Sequence, residues 1–364
     1  MIRIGFVGFG RMGITHLSIL NTHPSVKVAA VCDQSGTMLK LVGKHINLPT
    51  YTDYRKMIDE AGLDCVVIST PTDSHGEVIK SAIDKNLHIF VEKPFTLTAE
   101  EGQEVLAHLG NKPLVNQVGY VNRFNEVFME VKRLLNAGII GDVKNIISEM
   151  YSATVLKDTK SGWRSKKTLG GGCLYECASH CIDLTVYLAG QPDRIVGSIM
   201  QSIYSSEVED LVSSTFIYRD GGSGAIMVNW SDETYRKPVN ILKIFGTGGR
   251  IIADKHAFKV YLKKANEANS FEKGWTTRYI TDFGKSVRFY LRGNEFTRQL
   301  DYFVDCVERG ARENISSFAE ALKTDIIMGE ITKDAARSLN NAEGEAILQK
   351  NPGQKSLWTK LFKQ

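Results

Sequence analysis

The sequence predicts an α/β protein in two parts. The first third reads as a doubly wound parallel sheet. The remainder reads as an α+β region with a large, mostly antiparallel sheet that leaves one face open. Three observations predict this. Apolar runs alternate with helical segments up to about residue 120. A glycine-rich turn joins the first apolar run to the first helix. Beyond residue 120, many strand-like runs follow one another with only turn signals between them, the pattern of antiparallel meanders.

Taken in order, strands are expected at 2–7, 26–32, 64–69, 87–91 and 113–119, and helices at 13–21, 36–46, 53–60, 74–85 and 98–109. Ligands bind such sheets at the carboxyl ends of the strands. That places Asp33, Thr70-Pro71 and Glu92-Lys93-Pro94 on the same rim as the glycine turn. A helix at 125–137 and a turn at 138–141 follow. Strands are then expected at 143–152, 194–204, 210–219, 223–231, 239–246 and 250–254, with a helix inserted at 173–188. Helices at 292–309 and 317–338 are expected to pack back on the first part. The division falls at 1–121 and 122–364, with no internal repeat and no low-complexity segment.

The opening segment carries the most specific signal. Ile2 to Val7 runs into Gly8-Phe9-Gly10-Arg11-Met12-Gly13, a helix follows, and Val26 to Val31 ends at Asp33. Strand, glycine turn, helix, strand and acid in this register form the dinucleotide-binding fingerprint of the Rossmann fold. Gly8 allows the tight turn, Gly10 lets a pyrophosphate approach the backbone, and Gly13 lets helix and sheet pack closely. The helix N-terminus offers free N–H groups to phosphate. Asp33 can accept from ribose hydroxyls. Without a following arginine it favours NAD, because an acid repels the 2′-phosphate of NADP.

Bulk properties narrow the remaining classes. The chain has 364 residues, 43% hydrophobic and 24% charged, with a net charge of +4. No basic stripe accompanies that charge, so nucleic-acid binding is not expected. The basic C-terminal tail (Lys355, Lys360, Lys363) reads as a solvated end. No apolar stretch reaches the ~18 residues of a membrane span, and no signal peptide is expected. Six cysteines without an extracellular signal point to reduced thiols in a cytoplasm.

Two segments could do chemistry. The run Gly170-Gly171-Gly172-Cys173-Leu174-Tyr175-Glu176 opens a helix on which Glu176, His180, Asp183 and Tyr187 share a stripe, at about 100° per residue. Cys177, Cys181, Leu184 and Leu188 fall on a neighbouring, core-facing stripe. Glu176 and His180 with Cys173, Cys177 and Cys181 invite a metal reading. The cysteines point elsewhere, however, and no second ligand cluster exists, so no metal is expected. The other candidate is Lys93, held at a strand end by the following proline, whose peptide bond can be cis.

The chain resembles the glucose–fructose oxidoreductase / inositol dehydrogenase (Gfo/Idh/MocA) family. The resemblance rests on GFVGFGRMG, AAVCD, VVISTPTDSH, IFVEKPFTLT, VGYVNRFN and GWRSKKTLGGGCLYECASHCIDL, spanning residues 2–190. It implies NAD(P)-dependent oxidation or reduction of a sugar-like hydroxyl or ketone. The family lysine falls on Lys93, and its acid and histidine fall on Glu176 and His180. The acid is usually aspartate, and the glycine common two residues before the histidine is Ala178. Cofactor contacts are expected from Gly8, Phe9, Gly10, Arg11, Met12, Gly13, Asp33, Thr70, Pro71, His75, Glu92 and Lys93. Candidate substrate contacts are Tyr120, Asn122, Arg123, Trp163 and Arg164, with Trp230 and Arg236 beyond the matched stretch. The arginines lean toward an activated or modified sugar. A homodimer or homotetramer through the C-terminal sheet is expected. Three alternatives remain open: glycoside cleavage through transient oxidation, a non-catalytic dinucleotide sensor, and reduction of an unsaturated ring.

Overall fold

The computed structural model of the chain describes residues 1–45, 48–155 and 162–348. The basic tail with Lys355, Lys360 and Lys363, and the last residue of the helix expected at 36–46, lie outside them.

The first sheet contains β1 (Ile2–Val7), β2 (Val26–Cys32), β3 (Thr50–Tyr51), β4 (Cys65–Ile68), β5 (His88–Val91) and β6 (Asn116–Val118). All are parallel, in the order β3-β2-β1-β4-β5-β6, the dinucleotide-binding order. The connecting helices are α1 (Arg11–Leu20), α2 (Gly36–His45), α3 (Tyr54–Glu60), α4 (His75–Asp84) and α5 (Ala99–Leu109). Cys65 to Ile68 is buried throughout, because helices cover both faces of a parallel sheet. The two-residue β3 escaped the sequence reading, being too short to show a period.

The second sheet follows α6 (Glu126–Asn136). Its strands are β7 (Val143–Tyr151), β8 (Arg194–Gln201), β9 (Leu211–Ile217), β10 (Ser223–Asn229), β11 (Val239–Gly246), β12 (Gly249–Ala253), β13 (Ala257–Leu262) and β14 (Gly274–Tyr279), with α7 (Ser179–Ala189) between β7 and β8. The order is β14-β13-β12-β11-β7-β10-β9-β8, antiparallel except where β7 meets β10. Burial alternates residue by residue in β9 and β11, as it must when one face packs and the other meets water. Ile199, Met227, Phe245 and Trp275 are exposed. β13 and β14 were not anticipated. β14 is an edge strand with no fully buried position, so its sequence carries little apolar signal.

After α8 (Ile280–Phe283) come α9 (Asn294–Arg309) and α10 (Phe318–Leu348). α9 packs back on the first sheet as expected: Leu300, Phe303 and Val304 share a core with Phe6, Val67 and Phe90. α10 is longer than expected and bridges the two halves. Its Phe318 and Leu322 join Val66, Val91 and Phe95 under the first sheet, while Ile327, Met328 and Ile331 join Phe216 and Val228 under the second. Each such buried side chain contributes about 1.5–3 kcal/mol, so α10 ties the rim of one sheet to the inner face of the other.

Candidate active site

The glycine turn leaves β1 at Gly8, where a φ of +87° and the Ser69 backbone, which a Cβ would meet at 2.7 Å, exclude a side chain. A Cβ on Gly13 would strike the Gly8 carbonyl. A Cβ on Gly10 would meet nothing within 4 Å. Gly10 is also the N-cap of α1, with no side chain capping the helix. The turn therefore presents free N–H groups to an open cradle. That is what a dinucleotide pyrophosphate requires, and the residues fit it. Asp33, beyond the end of β2, accepts from Phe9 N–H and Ser35 N–H at 2.7 Å each, which aligns its carboxylate beside the turn.

Two loops complete the rim. Thr70 Oγ1 accepts from Ser74 Oγ at 2.7 Å, and Pro71 is exposed. His75 lies beneath them, fully buried, its ring nitrogens 3.1 Å from the Pro94 and Thr70 carbonyls. Burial pushes its pKa down. His75 thus joins the two rim loops from below. The Lys93–Pro94 peptide is cis. Burial pushes the Glu92 carboxyl up, but His16 Nε2 at 2.6 Å and the neighbouring Lys93 outweigh it and hold it below the usual range. Thr96 donates through N–H and Oγ1 to Asp325 on α10, at 3.0 and 2.9 Å.

The glycine triplet meets this rim from the other half. A Cβ on Gly171 would collide with the Trp163–Arg164 backbone, and Gly172 N–H donates to Arg164 O at 3.0 Å. Glu209 accepts from Leu174 N–H at 2.7 Å. The helix expected at 173–188 opens with a π turn over Leu174–Ala178 before α7 begins, a distortion frequent at functional sites. It carries Glu176 to the rim. Lys93 Nζ donates to Glu176 O at 3.0 Å and Oε2 at 3.1 Å. Arg164 Nε donates to Glu176 Oε1 at 3.0 Å, its guanidinium stacked 4.8 Å over Trp163. Burial alone would raise the Glu176 pKa, but Lys93 and Arg164 bring it below the usual range.

His180 stands one turn further on, edge-on to Tyr120 at 6.4 Å between ring centroids. Its Nδ1 is buried without a partner. Burial, then Lys93 and Lys255, hold its pKa well below 6.5. Lys255 is the residue the sequence reading missed. It sits in the β12–β13 turn, pinned through its carbonyl by Asn125 Nδ2 at 3.2 Å, with Nζ 4.0 Å from Glu295. A single lysine in a hairpin turn carries no sequence signal.

Several candidates are placed elsewhere. Arg123 is buried in a fork on Asp183 at 2.8–3.1 Å and also donates to the Ile315 carbonyl. Its donors are committed to the scaffold rather than to the cleft. Asp183, expected on the stripe of His180, is the other half of that pair. Asn122 is buried with neither amide atom partnered, and Tyr120 is buried behind His180. Trp230 is a core residue whose indole donates to Asp210 at 2.6 Å. Arg236 is exposed beyond β10. Cys173, Cys177 and Cys181 lie in the core, where burial pushes the Cys181 thiol up to about 12. Among the described residues no group of three His, Cys, Asp or Glu is placed to hold a metal.

Residues 2–120 match the model of an oxidoreductase family with an NAD-binding Rossmann fold, Gfo/Idh/MocA, and residues 128–252 match that family's C-terminal domain. The chain is 26% identical over 315 residues to scyllo-inositol 2-dehydrogenase (NAD(+)) of Bacillus subtilis, covering 85% of this chain and 87% of that protein. It is 28% identical over 199 residues to inositol 2-dehydrogenase of Salmonella typhimurium, covering 54% and 56%. Among solved structures, levoglucosan dehydrogenase in complex with NADH and levoglucosan has a TM-score of 0.81 at 19% identity, covering 92% and 97%. The WlbA dehydrogenase from Bordetella pertussis, with NADH and UDP-GlcNAcA, has a TM-score of 0.75 at 20% identity, covering 92% and 96%. At such identities these structures share the fold.

Proposed function

Because the chain belongs to the Gfo/Idh/MocA family of oxidoreductases, we propose that it moves hydride between a nicotinamide dinucleotide and a secondary hydroxyl or ketone of a sugar, sugar derivative or polyol. One observation carries the reading: Lys93 from the first half and Glu176 from the second meet at the rim, with His180 one turn away. The turn from Gly8 to Gly13 and the α1 N-terminus hold the pyrophosphate. Asp33 accepts from the adenosine ribose, which favours NAD. Thr70, Pro71 and Glu92 line the remaining path. When bound, the dinucleotide supplies the hydride acceptor or donor.

The chain's own residues handle the proton. A depressed pKa keeps the His180 imidazole neutral at physiological pH, so it can accept the hydroxyl proton in oxidation and return it in reduction. The Lys93 ammonium hydrogen-bonds the reacting oxygen and stabilises its developing negative charge. Glu176 positions Lys93, with Arg164 holding the far oxygen of the same carboxylate. Arg164 and Trp163 flank the substrate. The lean toward an activated or modified sugar loses Arg123, so neutral polyols and nucleotide-linked sugars stand level.

We assign the cofactor to residues 1–121 and, Lys93 apart, the substrate and subunit contacts to 122–364. The exposed apolar side chains of Ile199, Met227, Phe245 and Trp275 support a dimer or tetramer through the open sheet face. Among the described residues no helix is long and apolar enough to cross a membrane. A reducing cytoplasm suits the six buried free cysteines. The test is turnover of NAD(H) and NADP(H) across polyols, aldoses and nucleotide sugars. NADH binding without turnover on any of them would sink the catalytic reading and favour a sensor.

A further inference from the structure

The loop that follows β5 is held from several sides. His75 reaches the Pro94 and Phe95 carbonyls, Asp325 of α10 accepts from Thr96, and Glu101 accepts from Leu97 N–H at 3.1 Å. None of these contacts involves the π turn at Leu174–Ala178 that carries Glu176. Among the described residues, two side-chain links join that turn to the loop. One is Lys93, on the oxygens of Glu176. The other is Tyr175, whose hydroxyl donates to the Leu97 carbonyl at 2.9 Å.

Three observations bear on Tyr175. Its backbone is fixed within the turn, where Ser179 Oγ donates to its carbonyl at 2.6 Å. The loop and the glycine triplet lie in close contact beside it: a Cβ on Gly170 would press on Thr72 at 2.9 Å and on Leu97 Cδ2 at 3.1 Å. Burial pushes the Tyr175 pKa up to about 12, so the phenol keeps its proton and remains a donor at physiological pH. Consecutive side chains on a helix diverge by about 100°. Tyr175 and Glu176 therefore reach two separate points of the loop, Leu97 and Lys93. One hydrogen-bonded contact alone is a pivot. Two of them fix the turn against the loop, and with it the position of Lys93 Nζ.

We propose that Tyr175 is a positioning residue for the reaction: its hydroxyl, on the Leu97 carbonyl, clamps the π turn to the loop after β5 and so keeps Lys93 seated on Glu176. This rests on the catalytic reading of Lys93 above. In this role Tyr175 acts through Lys93 and Glu176 and need not touch the substrate.

The experiment compares the wild type with Y175F, E176Q and the double variant. In the ligand-free proteins, acetylation of Lys93 by an acetyl N-hydroxysuccinimide ester is followed by mass spectrometry, with exposed Lys27 as the internal standard. Y175F should label Lys93 several-fold faster, because the bonds that shield Nζ loosen. On the fastest substrate among polyols, aldoses and nucleotide sugars, Y175F should lower kcat by roughly tenfold, with KM and the NADH dissociation constant within about twofold of the wild type. Added to E176Q it should cost little more than E176Q alone, because both substitutions release the same lysine. The phenyl ring keeps its packing on the core that holds Cys177 and Ile182, so the melting temperature should stay close to that of the wild type. Should Y175F melt early, the double variant decides at a temperature where all four proteins are folded, since a general loosening multiplies with E176Q. Unchanged labelling of Lys93 in Y175F overturns the proposal. So does a loss that multiplies with that of E176Q, or one that falls on NADH affinity. Faster labelling in a protein that turns over none of these substrates overturns the catalytic reading instead and leaves the clamp standing.

Discussion

Two carboxylate–cation sets stand within two turns of each other on the same helical segment, and they behave differently. Asp183 and Arg123 are each about 1% exposed, and Asp183 holds the guanidinium through three hydrogen bonds. Glu176 is 20% exposed, with Lys93 at 12% and Arg164 at 34%. The first set is closed on itself, with its main donors committed. The second is open on one side, where a lysine and an arginine keep donors for another partner. Residue type does not distinguish them. Exposure does: the closed pair is a fastener between the 121–124 turn, α7 and the chain near Ile315, and the open set is where substrate can compete for hydrogen bonds.

The comparison breaks first at the open set. K93M or H180A should cut turnover by about 10²–10⁴-fold, while NADH binding measured by fluorescence persists. Full activity in both would refute the assignment. The closed set should fail in stability instead. R123M or D183A leaves a buried charge unpaired and should cost about 3–5 kcal/mol in chemical denaturation. A variant folded as firmly as the wild type would show that the fork does not hold the scaffold. E176Q should sit between these extremes, losing about 10²-fold in turnover through misplacement of Lys93, with a melting curve close to the wild type.

The smallest effect is on pH dependence. His180 must be neutral to take a proton, and its pKa lies well below 6.5 through burial and the charges of Lys93 and Lys255. The acid limb of the oxidation rate should therefore fall below pH 6.5. Removing the Lys255 charge raises the His180 pKa, so K255Q should move that limb toward higher pH. Measuring kcat/KM against pH in both proteins checks the sign; a shift downward would mean that Lys255 does not face the imidazole.

Much of this was legible in the residue order. The glycine turn and its acid lie within one βαβ unit, so local spacing sufficed to place Gly8, Gly10, Gly13 and Asp33 around one cradle. Lys93 was legible because a strand and a proline bracket it. The pairing of Glu176 was not. A regular helix would put it over His180, but the π turn at Leu174–Ala178 and the Trp163–Arg164 backbone against Gly171 bring it to Lys93 and Arg164. Arg123 read as a candidate ligand contact, because a sequence records a charge and not its burial.

The sequence by itself determined the order of strands and helices apart from β3, β13 and β14, the dinucleotide cradle, and which side chains could carry a proton or stabilise an oxyanion. These follow from periodicity and from contacts a few residues apart. Only the tertiary structure decided which cations are spent on structure and which remain for ligand. Lys255 and Glu209 join the site from loops 75 and 35 residues away from the residues they face. No local pattern encodes such meetings, because they are set by how α10 and the second sheet close over the rim of the first.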